Sequence, residues 1–198
     1  MPKDSELGSC KMAAEFSTRR LRLRPWRDDD FLPFAAMNAD PRVMQFFPQT
    51  LNAEQSDAMA ENIQQHIHQH GWGFWAIELP QVDDFIGFVD LHHTQHILPF
   101  SPCTEIGWRL AARHWGQGYA SEAAAEVLRL AFQVLRLKEV VSFTSVLNLR
   151  SQAVMQRIGM QHRGEFFSHP GVPEESALRA HILYRISQSE WVKTSTSD

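Results

Sequence analysis

The chain has 198 residues, 43% of them hydrophobic and 21% charged, enough apolar surface for one ordinary domain and too little length for two full ones. Lys and Arg number 19 against 23 Asp and Glu, a net charge of -4, which disfavours the phosphate backbone of a nucleic acid as the main ligand. No apolar run approaches the roughly 18–20 residues of a membrane span, and Cys10 and Cys103 form neither a disulfide framework nor a CxxC pair, as expected of a reducing cytoplasm.

Residues 1–17 lack the charged-then-apolar layout of a signal peptide and read as a flexible polar leader outside the fold. Leu21, Leu23 and Pro25 then alternate with Arg20, Arg22 and Arg24, the pattern of a strand with one basic face. Asp28, Asp29 and Asp30 supply an N-cap and acidic first turn for a helix over 31–38. Asp40-Pro41 opens a further helical turn that ends near Phe46, Phe47 and Pro48. Asn52 caps a longer helix over 53–70, stopped by Gly71. Strands over 72–79 and 85–91 follow across a turn, and a loop over 94–102 leads to a strand over 103–111. After a turn with two glycines, Ala120, Ala124, Val127, Ala131 and Leu135 recur at helical spacing. Residues 139–146 are β-rich, 151–158 form a short helix with Gly159 as its C-cap, and 160–167 and 177–186 are two closing strands. Residues 193–198 read as a flexible tail. The order is α+β, with a central mixed, largely antiparallel sheet flanked by helices.

The chemistry concentrates in the strand–turn–helix run Arg113-His114-Trp115-Gly116-Gln117-Gly118-Tyr119-Ala120. Glycines at such a turn let the backbone approach a ligand, and the amides of the helix's first turn then face an anion. A tight turn that merely needs glycine is the plainer account. A P-loop is excluded because GxxxxGK[ST] is absent, and a dinucleotide fingerprint because Ser121 stands where its third glycine belongs. Glu105 is a carboxylate in an apolar strand, suited to a raised pKa and a base role, or else a rim acid paired with Arg109. Cys103 lies on the same face with no histidine placed by sequence to activate it, so a small strand residue is preferred to a nucleophile. His66 and His70, and the group His92, His93 and His96, complete no metal-ligand pattern and read as a solvated helix face and a loop.

Arg113-x-x-Gly116-x-Gly118 resembles the Q/R-x-x-G-x-G/A pyrophosphate loop of the GNAT acetyltransferases. The runs Glu105-Ile106-Gly107-Trp108-Arg109-Leu110 and Trp115 to Ala123, then Asn148-Leu149-Arg150-Ser151, Val154-Met155 and Ile158-Gly159-Met160, are similar to its RimJ/RimL-like branch, as is the opening Arg20-Leu21-Arg22-Leu23-Arg24. The resemblance implies one GNAT domain over 18–192, with acetyl-CoA wedged where the strands holding Ile106–Trp108 and Val140–Val146 splay apart. It assigns the pantetheine arm to the backbone of Ile106 and Trp108 and to Asn148. The pyrophosphate goes to the loop that begins at Arg113, through the amides of Gly116, Gln117, Gly118, Tyr119 and Ala120. Asn148 also suits an N-cap of the 151–158 helix. Ser151 falls near the cofactor sulfur, where it could protonate the departing thiolate, or is an ordinary first-turn serine. Phe46, Phe47 and Trp72 are implied to wall the acceptor pocket beside Glu105.

The implied reaction is acetyl transfer from acetyl-CoA to an amine, a protein N-terminus or a small molecule, by direct attack and without a metal. An acyl-CoA-binding module without turnover is the alternative. The implied partners are acetyl-CoA and the amine, with a homodimer compatible, and neither nucleic acid nor membrane.

Overall fold

Two hydrophobic clusters, one on each face of a single eight-stranded sheet, organise the chain. The computed structural model describes residues 15–94 and 97–195. In chain order the elements are β1 (Phe16–Ser17), β2 (Arg22–Arg24), α1 (Phe31–Ala39), α2 (Ala53–His70), β3 (Phe74–Leu79), β4 (Asp83–His93) and β5 (Thr104–Leu110). They continue with α3 (Tyr119–Gln133), β6 (Glu139–Ser145), α4 (Leu149–Arg157), β7 (Gln161–Ser168), β8 (Ala180–Ser187) and α5 (Gln188–Ser195). The sheet runs β1-β2-β3-β4-β5-β6-β8-β7, antiparallel except between β5 and β6. Among the described residues no helix is long and apolar enough to cross a membrane.

The alternation along β3, β4 and β5 divides the two layers. Trp75, Ile77, Val89, Leu91 and Ile106 point to α3, whose Ala124, Val127, Leu128 and Ala131 bury against them. Ala76, Phe85 and Phe88 point the other way, to Phe34 and Met37 of α1 and Ala60 and Ile63 of α2. Asn52 caps α2 through its side chain, which accepts from the Gln55 amide, and Gly71 ends the helix at φ +71°, as its residue types require.

Three expectations need correction. Arg24 does not belong to an exposed basic face: it is 1% exposed, because its guanidinium closes a buried ion-pair knot. There Nη1 and Nη2 bind Asp30 at 2.8 Å each, Nε binds Glu78 at 2.9 Å, and the carbonyls of Pro25 and Asp84 take the remaining hydrogens. The ordered domain also begins before residue 18, since Phe16 and Ser17 pair with Leu23 and Arg22 and the Phe16 ring meets Trp75 edge-on. Finally, α5 closes the chain and takes in residues 193–195 of the expected tail. It carries too few apolar residues for a visible helical repeat; Trp191, 5.6 Å from the Phe132 ring, anchors it.

The feature that positions a site is the parallel pair. β5 and β6 register at one point, Glu105 opposite Val141, and form no further ladder pair. The strands diverge towards their C-terminal ends, leaving a cleft with the 111–118 loop on one lip and the Asn148 turn on the other.

Candidate active site

The first lip is a row of amides. Gly116 and Gly118 hold φ +76° and +80°, conformations that glycine adopts without strain, and Gly118 is the N-cap of α3. No acceptor among the described residues takes the amides of Gly116, Gln117, Gly118, Tyr119, Ala120 or Ser121. A Cβ built on Gly116 meets nothing within 4 Å, and one on Gly118 meets only Arg20 Nη2 at 3.4 Å. The loop therefore faces open space with six donors and the positive end of a 15-residue helix, an arrangement that fits a pyrophosphate.

Arg20 braces this lip. Its Nε binds Glu122 at 2.7 Å, its Nη1 donates to the Gln117 carbonyl at 2.9 Å, and its guanidinium lies 4.6 Å above the Tyr119 ring. Thr18 Oγ1 adds 2.6 Å to the same Glu122 carboxylate. Sequence reading missed Arg20 as part of the loop because its partners lie about a hundred residues downstream. Arg113, expected at the cofactor, is turned to the β3–β4 turn, where Asp83 takes its Nη2 at 2.7 Å and His114 Nε2 at 3.0 Å.

On the second lip Asn148 caps α4 and does more. Its Oδ1 accepts from the Ser151 amide at 3.2 Å, while its Nδ2 donates to Thr144 Oγ1 and to Ser151 Oγ, each at 3.0 Å. Because Ser151 Oγ already accepts, its own hydrogen is left to point elsewhere. Arg150, next in the chain, lies 4.6 Å over the Trp115 ring and so spans the mouth from lip to lip. Ile106 and Trp108 alternate on the α3 side of β5, opposite Leu91 and Val89. Tyr184 is buried in the core and accepts from Gln156 at 3.2 Å.

The other face of β5, under α1 and α2, carries Glu105, Gly107 and Arg109. Cross-strand from them stand His92, Asp90 and Phe88. His92 Nδ1 lies 2.7 Å from Asp90 Oδ2, its Nε2 lies 3.8 Å from Glu105 Oε2, and Phe74 stacks on its ring at 5.2 Å. Burial pushes the Glu105 carboxyl up to about 8, against the pull of His92 and with the help of Asp90. Burial alone would lower His92, but the Asp90 hydrogen bond and the charges of Asp90 and Glu105 outweigh it and hold the imidazole up. His92 is thus not a solvated loop residue as expected. Its alternation with Asp90 on one strand, two residues apart, was the available signal.

Glu105 and Arg109 do not pair. Arg109 instead donates to Asn38 Oδ1 at 2.6 Å and lies 4.2 Å from the Phe47 ring. Phe47 therefore reaches this face, while Phe46 is half-buried in the turn segment beside it. Trp72 does not: it packs on the α3 face, with His93 edge-on at 5.8 Å. His96 lies outside the described residues, and among those described no group of three His, Cys, Asp or Glu side chains could hold a metal. The ring of His66, 4.4 Å from that of His70, packs against Phe74 rather than standing in solvent.

Gly107 is required by the Asp90 carboxylate, since a Cβ there would sit 2.7 Å from Asp90 Oδ1. Gly107→Ala should push Asp90 off His92 and cost about 1–3 kcal/mol of stability. Urea denaturation and the histidine NMR titration would check this: an unmoved His92 resonance would mean that the two side chains are not coupled.

Residues 20–161 match the model of the Acetyltransferase (GNAT) domain. A segment of 90 residues, 46% of this chain, is 39% identical to an Aspergillus fumigatus protein named FsC-acetyl coenzyme A-N(2)-transacetylase. The match spans only 38% of that relative's length. The crystal structure of an acetyltransferase from Agrobacterium tumefaciens superposes with a TM-score of 0.68 at 30% identity, covering 87% of this chain and 93% of that one. The fold is also that of a Vibrio cholerae spermidine N-acetyltransferase solved with CoA and spermine, with a TM-score of 0.67 at 19% identity over 87% and 98% of the two chains. With this family match over most of its length, the chain belongs to the GNAT acetyltransferases and is an acetyl-CoA-dependent acyltransferase.

Proposed function

We propose that the protein moves the acetyl group of acetyl-CoA to an amine by direct attack inside the cleft between β5 and β6. The observation that carries this is the divergence of the two strands at Glu105, with the amide row on one lip and the Asn148–Ser151 pair on the other. The pyrophosphate sits on the amides of Gly116–Ala120 beside Arg20, and the pantetheine arm runs along Ile106 and Trp108 to Asn148. Arg113 supports the loop through Asp83 rather than touching phosphate. The amine comes from the α1–α2 face, past Phe47 and the neighbouring Phe46, and yields its proton to Glu105, whose charge state burial sets with His92 and Asp90 adjusting it. Its nitrogen bonds to the carbonyl carbon, the carbon–sulfur bond breaks, and Ser151 Oγ–H protonates the leaving thiolate. Orientation does most of this work, with the proton transfers assisting. Burial, then the charge of Glu105, pushes the Cys103 thiol up and away from thiolate, which supports a route without an acetyl-cysteine. A cytoplasmic location suits the cysteine usage and the supply of acetyl-CoA.

The test couples binding to turnover. CoA at about 100 times its dissociation constant should stabilise the fold by about 2.7 kcal/mol, and acetyl-CoA with a mixed amine panel should release free thiol. Stabilisation without thiol release would leave an acyl-CoA-binding module instead.

Ser151→Ala should lower kcat about tenfold to a hundredfold with acetyl-CoA affinity unchanged, near the low end for a single acid, because a CoA thiolate leaves partly unassisted and water can substitute. Steady-state kinetics with one good acceptor would show it; wild-type kcat when chemistry limits the rate would return Ser151 to a capping role only.

A further inference from the structure

Arg24 is fully buried and Arg109 half-buried with its Nε shut off from water, and their environments are opposite. Arg24 spends every guanidinium nitrogen: Asp30, Glu78 and two carbonyls surround it, and the charge is neutralised by two carboxylates. Arg109 has no such company. Its Nη1 donates to a neutral amide, Asn38 Oδ1, which is itself buried and whose own Nδ2 is held by Ser56. Its Nε is buried and has no partner. Its Nη2 donates to no acceptor, and no carboxylate among the described residues forms an ion pair with it. Asp90, whose charge acts on Arg109 through space without touching it, is hydrogen-bonded to His92. Aromatic rings of Phe47 and Phe88, at 4.2 and 5.5 Å, flank the guanidinium. A cation partly withdrawn from water with no carboxylate in contact is costly, and that cost is what a bound anion would relieve.

The vacant donors are adjacent. Nε–H and the nearer Nη2–H form one edge of the guanidinium, spaced to receive both oxygens of a carboxylate. Arg109 lies on the face of β5 that also holds Glu105. The two residues are four apart on one strand, so their Cα atoms are separated by about 13 Å at about 3.3 Å per residue. Building on the acetyl-transfer reading above, we propose that the Nε–Nη2 edge of Arg109 binds a carboxylate of the acceptor, so that the substrate is an amine carrying a carboxylate several bonds away, as a short peptide does. A free α-amino acid is too short to reach both groups. A polyamine would bring positive charge to a guanidinium that has no anion of its own. Phe47, 39% exposed on the turn segment after α1, covers the bound carboxylate from the solvent side.

The test uses acceptors that differ in one group. Glycine oligomers from diglycine to pentaglycine, each as the free acid and as the C-terminal amide, are compared for thiol release from acetyl-CoA, with spermidine alongside. In the wild type, kcat/KM should favour the acid over its amide about tenfold to a hundredfold at the best length, the range of a charge-assisted pair, with the difference carried by KM. Arg109→Gln should bring that ratio close to one, and Arg109→Lys should restore part of it, since lysine keeps the charge and loses the fork. The wild-type ratio needs no variant, so it decides the matter even if Arg109→Gln is poorly folded. Equal rates for acids and amides at every length, or a preference for spermidine over both, would overturn the carboxylate site while leaving acetyl transfer intact. Silence with every amine, despite CoA binding, would instead overturn the acetyl-transfer reading and this proposal with it.

Discussion

Gly118→Val should weaken acetyl-CoA binding about a hundredfold or more while the sheet remains folded. At φ +80° a β-branched residue is strained by about 1–3 kcal/mol before any ligand is considered. The loop can relieve that strain by turning its amides out of line, or keep them in line and carry the cost. In the second case the valine methyls still project into the space where the donors converge, next to Arg20 Nη2, which a Cβ alone would approach at 3.4 Å. Gly116→Val should act in the same direction, because its φ of +76° is just as unfavourable and the room above it is open. The cores on either side of the sheet do not include either glycine, so circular dichroism should be unchanged. Calorimetric titration with CoA reads the effect. If both variants bind as the wild type does, the amide row does not hold the pyrophosphate.

The difference between what sequence reading reached and what it missed follows from the range of the interactions. The caps of α2 and α4, the left-handed glycines of the loop and the apolar face of α3 are local: each is set within a few residues, and each was legible. Asn148 and Ser151 were legible for the same reason, being three residues apart. The α1–α2 face of β5 was not. Asp90 and His92 meet Glu105 only through the β4–β5 register, and Arg20 meets Glu122 only through a contact 102 residues long. Arg24 shows the same limit from the other side. Its alternation with leucines placed it on a basic strand face, and its burial is made tolerable by Asp30 six residues on together with the return of Glu78 on β3. Trp72 failed because strand parity, counted back from β3, would place it with Phe74 and Ala76 on the α1–α2 face, whereas Gly73 at φ +144° interrupts the strand and Trp72 packs with His93 on the α3 face.

Glu105→Gln should lower kcat/KM by about 10²–10⁴-fold near neutral pH if Glu105 takes the acceptor's proton. The sign of the pH dependence separates that role from mere binding. With the carboxyl pushed up to about 8, the basic form accumulates as pH rises through that value, so the wild-type rate should climb across it and level off above. The deficit of Glu105→Gln should stay level below that value and shrink above it, where the wild type has levelled off while the amine continues to deprotonate. His92→Ala removes the positive neighbour that lowers the Glu105 pKa, so its profile should move to higher pH rather than simply fall. Stability supplies a second readout. A carboxyl raised from 4.5 to about 8 in the folded state contributes fully below 4.5 and loses that contribution as pH rises towards 8. Glutamine has no such loss. Glu105→Gln should therefore gain stability relative to the wild type progressively between those two values, and most at pH 8 and above. A raised KM with unchanged kcat and an unshifted profile would make Glu105 a binder of the ammonium group. A stability difference flat from pH 4 to 9 would show that its carboxyl is not perturbed, and the base would then have to be His92 itself, oriented by Asp90 at 2.7 Å.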